Sequence, residues 1–413
     1  MWWRLPARAG AIILLSFTFS LVGGLHWLGL WLAARPRATR QATIGNYLLI
    51  FCRLLGATFV KVGQIIATRA DLASEPLRAR LQLLQDRVGP YPYAQVRQAL
   101  LHEFGRPPEQ LLRELDPYPV ASASVAQVHR GRLEDGRNVA LKVLRPGIET
   151  VVRSDLALMR LLARLVAWIP TYRALSPRQT VDAFAEAIWQ QLDLRVEAAN
   201  NRTFAENFSD EAGVGVPQLV DELCSRRVLC MAFVEGDKVF DRAWPAEQAA
   251  RIARTGFRMV LKMVFVDGLV HADLHPGNMF VVDQGRLILV DMGLVVRLAE
   301  RHRQGMLKLL AAWTAGDVER LCDAISQVAF YGQQPFDPDR LRREMASLVE
   351  RFRDLALAEI QIGELLADLI RLVRKQWPRI DPAFAMMALA IGVMEGVGKQ
   401  LAPDLRLAEE ALP

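Results

Sequence analysis

Positions 271–293 read HADLHPGNMFVVDQGRLILVDMG, two polar loops separated by an apolar strand pattern. The first loop holds Asp273 and, five residues later, Asn278, and the second opens with Asp291. In phosphoryl transfer one carboxylate orients the acceptor, while an amide oxygen and a second carboxylate hold Mg²⁺ against the nucleotide phosphates. The spacing therefore predicts a phosphoryl-transfer site.

The same stretch fits the loop pattern of protein kinases, HRDxxxxN followed by DFG. His271–Ala272–Asp273 stands at the first motif and Asp291–Met292–Gly293 at the second. Two plainer interpretations stay open at this point. The stretch could be a polar turn between strands, with His275 either a core histidine or half of a metal site with His271.

Lys142 lies upstream in the strand pattern VALKV, which matches the kinase strand whose lysine holds the α- and β-phosphates. A lysine between apolar Leu141 and Val143 needs a carboxylate partner, since a buried ammonium is costly when unpaired. Glu197, 55 residues on in a helical pattern, is the best candidate. The alternative is that both are ordinary solvated charges.

A loop of small residues, Ala121–Ser122–Ala123–Ser124, precedes the strand pattern at Val125. Ordinary kinases cover the phosphates with a glycine-rich loop at this place. Alanine and serine still let backbone N–H groups approach phosphates, although a positive φ costs more than at glycine. Taken alone, the ASAS loop predicts only a tight turn.

The remaining pattern mixes helices with a small sheet. Strand patterns start at Ser124 and Asn138, joined by an Asp135–Gly136 turn that is typical of a hairpin, and a third starts at Arg227. Helical periodicity runs through residues 45–114, 151–209 and most of the chain after 244. The sequence therefore predicts an α+β, two-lobed protein.

The N-terminal part contains 26 uncharged residues, Ala9–Ala34, between Arg8 and Arg35. This length can cross a bilayer core of about 30 Å, so we expect a single transmembrane helix. A signal peptide and a buried or interfacial helix are the alternatives. We expect residues 35–45, which are basic and polar, to form a juxtamembrane linker.

Composition excludes several classes of protein. With 23% charged residues and 52% hydrophobic residues the chain is globular, and its net charge of +6 is too small to indicate nucleic-acid binding. Its four cysteines form no CxxC pair, which argues against a disulfide scaffold or a structural zinc site. Reduced cysteines in a cytosolic compartment are the expectation.

Several motifs together resemble the UbiB (AarF) family of atypical protein-kinase-like proteins, which is tied to ubiquinone biosynthesis. FVKVGQIIATRADLASEPL carries the family's KxGQ signature at residues 61–64, and ASASVAQVH, VALKVLRPG, HADLHPGN with DMG, and MEGVGKQLAPDL follow in the family's order. The resemblance covers roughly residues 45 to 405. Several independent motifs in the right order make a chance match very improbable.

The resemblance implies a two-lobed protein-kinase-like fold with an added helical N-terminal extension, preceded here by the predicted transmembrane helix. It implies ATP and Mg²⁺ as cofactors. The residues it assigns to the site are Asp273 as catalytic aspartate; Ala121, Ser122, Ala123, Ser124, Val128, Lys142 and Glu197 for the nucleotide; Asn278 and Asp291 for the metal; and Lys61, Gln64 and Asp193 for the regulatory extension.

The chain departs from the family pattern near Asp193. The family's ExD motif is replaced by Gln191–Leu192–Asp193, which loses the first carboxylate. We nevertheless expect Lys61 and Gln64, three residues apart on one helix face, to pack over the nucleotide site and to contact Asp193 or the phosphate side.

The predicted domains are an anchor at 1–34, a helical extension at 35–114, a small lobe at 115–235 and a helical large lobe at 236–413. The expected function is that of a membrane-associated kinase or ATPase acting in ubiquinone or other isoprenoid-lipid synthesis, with its core on the cytosolic side of the inner membrane. A membrane lipid or quinone precursor and other lipid-biosynthesis enzymes are the expected partners, and nucleic acid is not. A nucleotide-gated lipid-binding scaffold and a small-molecule phosphotransferase are the alternatives.

Overall fold

Helices and strands both occur in the computed structural model, which confirms the predicted α+β class. The structure describes residues 4–68, 75–84, 89–168, 177–283, 285–329, 337–352, 362–376 and 381–406. The described residues up to 198, together with 219–233, form one compact unit. Residues 199–218 and the described part of 234–406 form a second.

The first unit combines helices with one antiparallel sheet. Its helices are α1 (Arg4–Leu32), α2 (Arg37–Leu55), α3 (Ala57–Thr68), α4 (Glu75–Leu81), α5 (Tyr93–Phe104), α6 (Ile148–Val166), α7 (Pro177–Gln191) and the first part of α8 (Leu194–Asn207). Its strands are β1 (Glu114–Ser122), β2 (Ala126–Arg132), β3 (Asn138–Leu144) and β5 (Val228–Ala232), adjacent in the order β1-β2-β3-β5. The fourth strand in chain order, β4, lies in the second unit.

The predicted hairpin is confirmed in β2 and β3. Asp135 accepts a hydrogen bond from the Arg137 N–H at 3.0 Å, and Gly136 has φ +88°, a conformation that glycine adopts without strain. β3 is buried over most of its length, because Val139, Leu141 and Val143 belong to one apolar cluster and Leu144 to another. β2 and β5 pair with it on either side within the sheet. Lys142 therefore sits at the centre of the sheet.

Strand β1 was not predicted, and its sequence explains why. Pro117 and Pro119 cannot donate ladder hydrogen bonds, which argues against a strand. β1 accommodates them at the sheet edge, with register shifts between Leu115 and Pro119 and between Pro119 and Ala121. Ala121 and Ser122 end this strand, so the first half of the predicted ASAS loop is strand.

The predicted linker at 35–45 is wrong, because helix α2 begins at Arg37. Pro36 occupies its N-cap position, and three arginines had made this stretch resemble a linker. α2 packs on α1 through Phe19, whose ring centroid lies 5.5 Å from that of Phe51. His26 Nδ1 and the Tyr47 hydroxyl of the two helices lie 3.1 Å apart.

The predicted N-terminal membrane span is not supported. Helix α1 is continuous over 29 residues, but only its part Leu21–Leu32 stands out among the described residues as a short apolar helix. The described helix that is long and apolar enough to cross a bilayer is Ala383–Leu401, and 61% of its most apolar window is buried. That degree of burial is typical of a core helix.

The second unit is mostly helical and holds two small sheets. Its strands are β4 (Val214–Gly215), β6 (Asp237–Lys238), β7 (Leu269–His271), β8 (Met279–Val282), β9 (Arg286–Leu289) and β10 (Val295–Arg297). Its further helices are α9 (Ala246–Leu261), a π-helical turn (Lys262–Asp267), α10 (Glu300–Thr314), α11 (Val318–Ala329), α12 (Pro338–Phe352), α13 (Ile362–Gln376) and α14 (Pro382–Leu401). β7 pairs with β10, and the other four strands form the order β4-β9-β8-β6. One large apolar core joins these helices to β7, β8 and β9.

The closing helix α14 explains part of the MEGVGKQL motif. Asp381 caps its first turn by accepting from the Ala383 N–H at 2.9 Å. Glu395, 7% exposed, accepts the N–H of Ile362 at 3.0 Å and that of Gly363 at 2.5 Å. A carboxylate at the start of a helix is favourable, so Glu395 fixes where α13 begins on α14.

Candidate functional site

In the first unit, Lys142 and Glu197 form the predicted ion pair. The Lys142 Nζ lies 2.8 Å from Oε1 and 2.9 Å from Oε2 of Glu197, which α8 supplies. The two side chains are 12% and 6% exposed, so both charges are largely withdrawn from water. The prediction that these residues meet despite 55 intervening positions is confirmed, and the pair places an ammonium at the centre of the sheet.

The ASAS loop lies beside this lysine. Val128 of β2 is the register partner of both Ala121 and Lys142, so the strand end, Val128 and the lysine are neighbours across the sheet. The Ala123 N–H donates to the Ala126 carbonyl at 2.8 Å, which closes the turn. Ser124 is fully buried, and its hydroxyl has no hydrogen-bond partner within the described part of the chain.

The KxGQ segment forms part of helix α3. Gln64 donates from Nε2 to the Leu84 carbonyl at 2.7 Å, and Lys61 is half-buried. A Cβ at Gly63 would overlap the Leu84 side chain and lie 3.3 Å from Cys52 Sγ, so only glycine allows this close approach. Glycine in the motif therefore has a packing reason that the spacing alone did not reveal.

Helix α3 packs on the small sheet through Val62. Val62 belongs to the same apolar cluster as Val125, which follows the ASAS loop, and Leu144, which ends β3. Asp193 pairs with Arg195 at 2.6 Å, and that hydrogen bond lowers the pKa of the carboxyl. The contact of Lys61 and Gln64 with Asp193 or the phosphate side stays a prediction.

Gln191 replaces the first carboxylate of the family's ExD motif, and its environment is unusual. Its Oε1 is buried, and no described residue donates a hydrogen bond to it. An unpaired buried amide oxygen costs about 1–3 kcal/mol. The substitution therefore leaves a buried acceptor beside Asp193 rather than a second charge.

In the second unit, His271 joins the two polar loops. Its Nδ1 accepts from the Asp273 N–H at 3.2 Å, so the ring proton resides on Nε2, which donates to the Asp291 carbonyl at 2.9 Å. Burial lowers the pKa of His271, which keeps the imidazole neutral in this role. Sequence reasoning noted His271 but not that it is the bridge.

His275 has neither of the roles left open by the sequence. It is exposed, and its Nδ1 accepts from the Gly277 N–H at 3.1 Å within the short turn Pro276–Asn278. Both ring nitrogens of His271 are engaged by the backbone, and the described residues contain no cluster of three or more His, Cys, Asp or Glu suited to a metal. A histidine-based metal centre is therefore not formed by these two residues.

Asn278 and Asp291 present oxygen atoms of the kind that Mg²⁺ prefers. Asn278 is 9% exposed and donates from Nδ2 to the Asp273 carbonyl at 3.1 Å, which fixes the amide and leaves Oδ1 as its acceptor atom. Asp291 adopts φ +63°, a left-handed conformation that is uncommon outside glycine, and its Oδ1 accepts from the Gly293 N–H at 3.2 Å. This donor set fits a magnesium ion held by an amide oxygen and a carboxylate.

The following residue, Met292, is held by its backbone. Its carbonyl accepts from Asn200 Nδ2 at 3.0 Å, while its side chain is 1% exposed within the apolar core. The methionine that distinguishes DMG from DFG is therefore a core residue, and Asp291 and Gly293 on either side of it are unchanged.

Comparison with known proteins agrees with this geometry. The family pattern described as the ABC1 atypical kinase-like domain matches residues 83–325, and the UbiB helical domain matches residues 345–406. A protein named "Probable protein kinase UbiB" from Aeromonas salmonicida is 34% identical, covering 87% of this chain and 67% of its own length. A protein of the same name from Marinobacter nauticus is 33% identical, covering 92% and 70%.

A solved structure supports the fold. The complex of Rv3197 with erythromycin from Mycobacterium tuberculosis covers 76% of this chain and 83% of its own, with a TM-score of 0.51 and 22% identity. The chain belongs to the UbiB family of ABC1 atypical kinase-like proteins.

Proposed function

We propose that this protein binds Mg–ATP and acts as a membrane-associated atypical kinase or ATPase that supports ubiquinone or other isoprenoid-lipid synthesis. The observation that carries the proposal is the Lys142–Glu197 pair, whose ammonium is fixed by both carboxylate oxygens. In kinases such a pair positions the lysine for the α- and β-phosphates.

The second unit carries groups suited to a metal ion. Asn278 and Asp291 would hold Mg²⁺, and the metal would neutralise charge on the phosphates. Asp273 would accept a proton from, or orient, the attacking hydroxyl or water. His271 links the backbones of Asp273 and Asp291, so it sets the positions of both carboxylates.

Phosphorylation of other proteins is not the proposed reaction. Helix α3 packs on the cluster that contains Val125 and Leu144, beside the proposed phosphate-binding residues. A segment in this position favours a small or membrane-delivered acceptor, or water, over a folded protein. The proposed partners are therefore a quinone precursor or membrane lipid and other enzymes of lipid synthesis.

Attachment to the inner membrane is supported by the N-terminal helices. Leu21, Leu25, Leu28 and Leu32 are exposed at helical spacing along one face of α1. Residues 1–70 contain eight Lys or Arg and no Asp or Glu, so the rest of the chain carries a net charge of −2. An apolar, purely basic segment suits an anionic membrane surface.

The test is nucleotide turnover by the full chain in detergent, with vesicles and quinone precursors added in turn. Magnesium-dependent ATP turnover that Asp291→Asn abolishes is the expected result. Tight ATP binding with no turnover under any condition would favour the lipid-binding scaffold, and an absence of ATP binding would refute the proposal.

The topology has its own test. Because nucleotide chemistry uses cytosolic ATP, protease added outside intact spheroplasts should leave residues after 35 undigested. Digestion of the core under those conditions would contradict a cytosolic location. Release of the intact protein by high salt would show interfacial attachment rather than a helix that spans the bilayer.

A further inference from the structure

Arg145, directly after β3, makes several hydrogen bonds to the ASAS loop. Its Nε donates to the Ala123 carbonyl at 3.0 Å, and one terminal nitrogen donates to the Ser122 hydroxyl at 3.0 Å. The same nitrogen donates to the Gly89 carbonyl at 2.9 Å, and the Arg145 backbone N–H donates to the Val125 carbonyl at 2.8 Å. One side chain thus joins the loop to the segment that arrives from the helical extension.

Tyr91 supports this guanidinium from the same segment. The Arg145 guanidinium carbon lies 5.3 Å from the centre of the Tyr91 ring, and the Tyr91 hydroxyl donates to the Val143 carbonyl at 3.1 Å. Tyr91 is 9% exposed, and its N–H donates to Gln127 Oε1 at 3.1 Å. The ring and the planar guanidinium therefore hold each other in one place.

The network continues across the sheet to β1. Gln127, fully buried, donates from Nε2 to His129 Nε2 at 2.8 Å, which leaves the His129 proton on Nδ1 to donate to the Asp116 carbonyl at 2.8 Å. Burial lowers the pKa of His129, in keeping with a neutral ring. Both strands that border the loop are fixed by the network that holds Tyr91.

We propose that Arg145 is a positioning residue that sets the conformation of the ASAS loop and, through it, the protein's affinity for nucleotide phosphates. The inference rests on the proposed function, because it assumes that backbone N–H groups of the loop other than that of Ala123 face phosphate. A lysine at 145 carries the same charge but a single nitrogen, which cannot serve three acceptors in fixed directions. A loosened loop weakens the binding of the phosphates and leaves the binding of the adenosine part of the ligand unaffected.

The test compares ATP with adenosine by calorimetric titration of the full chain. Arg145→Lys is expected to weaken ATP binding about tenfold, the equivalent of one to two lost hydrogen bonds, and to weaken adenosine binding less than about twofold. Ser122→Ala removes one acceptor of the network and is expected to weaken ATP binding about two- to threefold. Arg132→Lys is the matched control, since this arginine lies on β2, is exposed, and contacts only the Asn138 side chain at 3.4 Å among the hydrogen bonds described.

The outcomes distinguish a failure of the positioning role of Arg145 from a failure of the proposed function. A parent protein that does not bind ATP refutes the proposed function itself. ATP binding by the parent with equal affinity in Arg145→Lys overturns the positioning role, as does a loss of the same size for ATP and adenosine. If Arg145→Lys does not fold, Ser122→Ala decides alone: unchanged ATP affinity in that variant also overturns the inference.

Discussion

Lys142 and Glu197 of the first unit are joined side chain to side chain, with both charges buried. Asp273 and Asp291 of the second unit are instead placed by hydrogen bonds to their backbones, through a neutral histidine. In the first arrangement the two charges compensate each other without a ligand. The second arrangement presents acceptor oxygens that a bound cation would stabilise. Mutation of the first should therefore cost folding stability as well as ligand binding, and mutation of the second should cost ligand binding with little loss of stability.

Glu197→Ala should have the largest effect on stability. It leaves the Lys142 ammonium buried without its carboxylate, and breaking a buried pair in this way costs about 3–5 kcal/mol. Urea denaturation of the full chain measures the free energy of unfolding. Nucleotide binding should be lost in the same variant.

The double variant Lys142→Met with Glu197→Leu is the control for that experiment. Replacing both charges by apolar side chains removes the uncompensated charge, so most of the lost stability should return while nucleotide binding stays absent. A cost below about 1 kcal/mol for Glu197→Ala would show that water reaches the pair, and the contrast between the two units would disappear.

Asp291→Asn should show the opposite behaviour. Asparagine tolerates the left-handed backbone at this position, and its Oδ1 can still accept from the Gly293 N–H, so stability should change by less than about 0.5 kcal/mol. Loss of the carboxylate should weaken Mg²⁺-dependent ATP binding by about 100-fold or more. Titration of ATP at several magnesium concentrations measures this, and an unchanged magnesium dependence would refute the metal assignment.

The neutral histidines predict how stability depends on pH. Burial lowers the pKa values of His271 and His129 in the folded protein. Below the histidine pKa of the unfolded chain, about 6.5, the unfolded chain therefore binds more protons than the folded protein. Stability contributed by these groups is complete above that pH and is lost as the pH falls below it, by up to about 1.4 kcal/mol per pH unit for each histidine.

Denaturation midpoints between pH 7.5 and 5 measure this slope. His271→Gln should flatten it. A slope that is the same in the parent and in His271→Gln would mean that the imidazole is not held neutral, and that charge rather than neutral hydrogen bonding joins the two loops.

Lys61→Ala should have the smallest effect. Lys61 is half-buried on α3, so its removal should cost less than about 1 kcal/mol of stability. If the segment limits access to the nucleotide, ATP affinity or turnover should change a few-fold. Identical values in the variant and the parent would show that α3 is a structural helix only, and the argument for a restricted acceptor would fail with it.

Sequence reasoning succeeded where one residue had a strong local requirement. Lys142 stood between apolar neighbours and needed a carboxylate, which pointed to Glu197, and the Asp135–Gly136 turn fixed the hairpin and its register. The loops around Asp273 and Asp291 could be predicted as a pair because their spacing is characteristic.

What the sequence did not reveal depends on contacts made by main-chain atoms. Arg145 contacts carbonyl groups, and carbonyl groups are identical in every residue, so no residue pattern marks its partners. The same holds for His271, which bonds to an N–H and a carbonyl. Strand β1 and the first part of helix α2, before residue 45, were missed for a different reason, since prolines and arginines made them resemble loops and tertiary packing overrode that preference.

The backbone anchorage of Met292 has a consequence for protein engineering. Because Asn200 holds the Met292 carbonyl and the Met292 side chain only fills the core, the side chain at position 292 can be exchanged between Asp291 and Gly293. Leucine or phenylalanine there would alter how tightly the interior is filled without moving the hydrogen bonds around it. The volume of the side chain at this position can thus be changed without changing the geometry of the loop. Protein engineering could use this to adjust the packing beside Asp291, the proposed metal ligand.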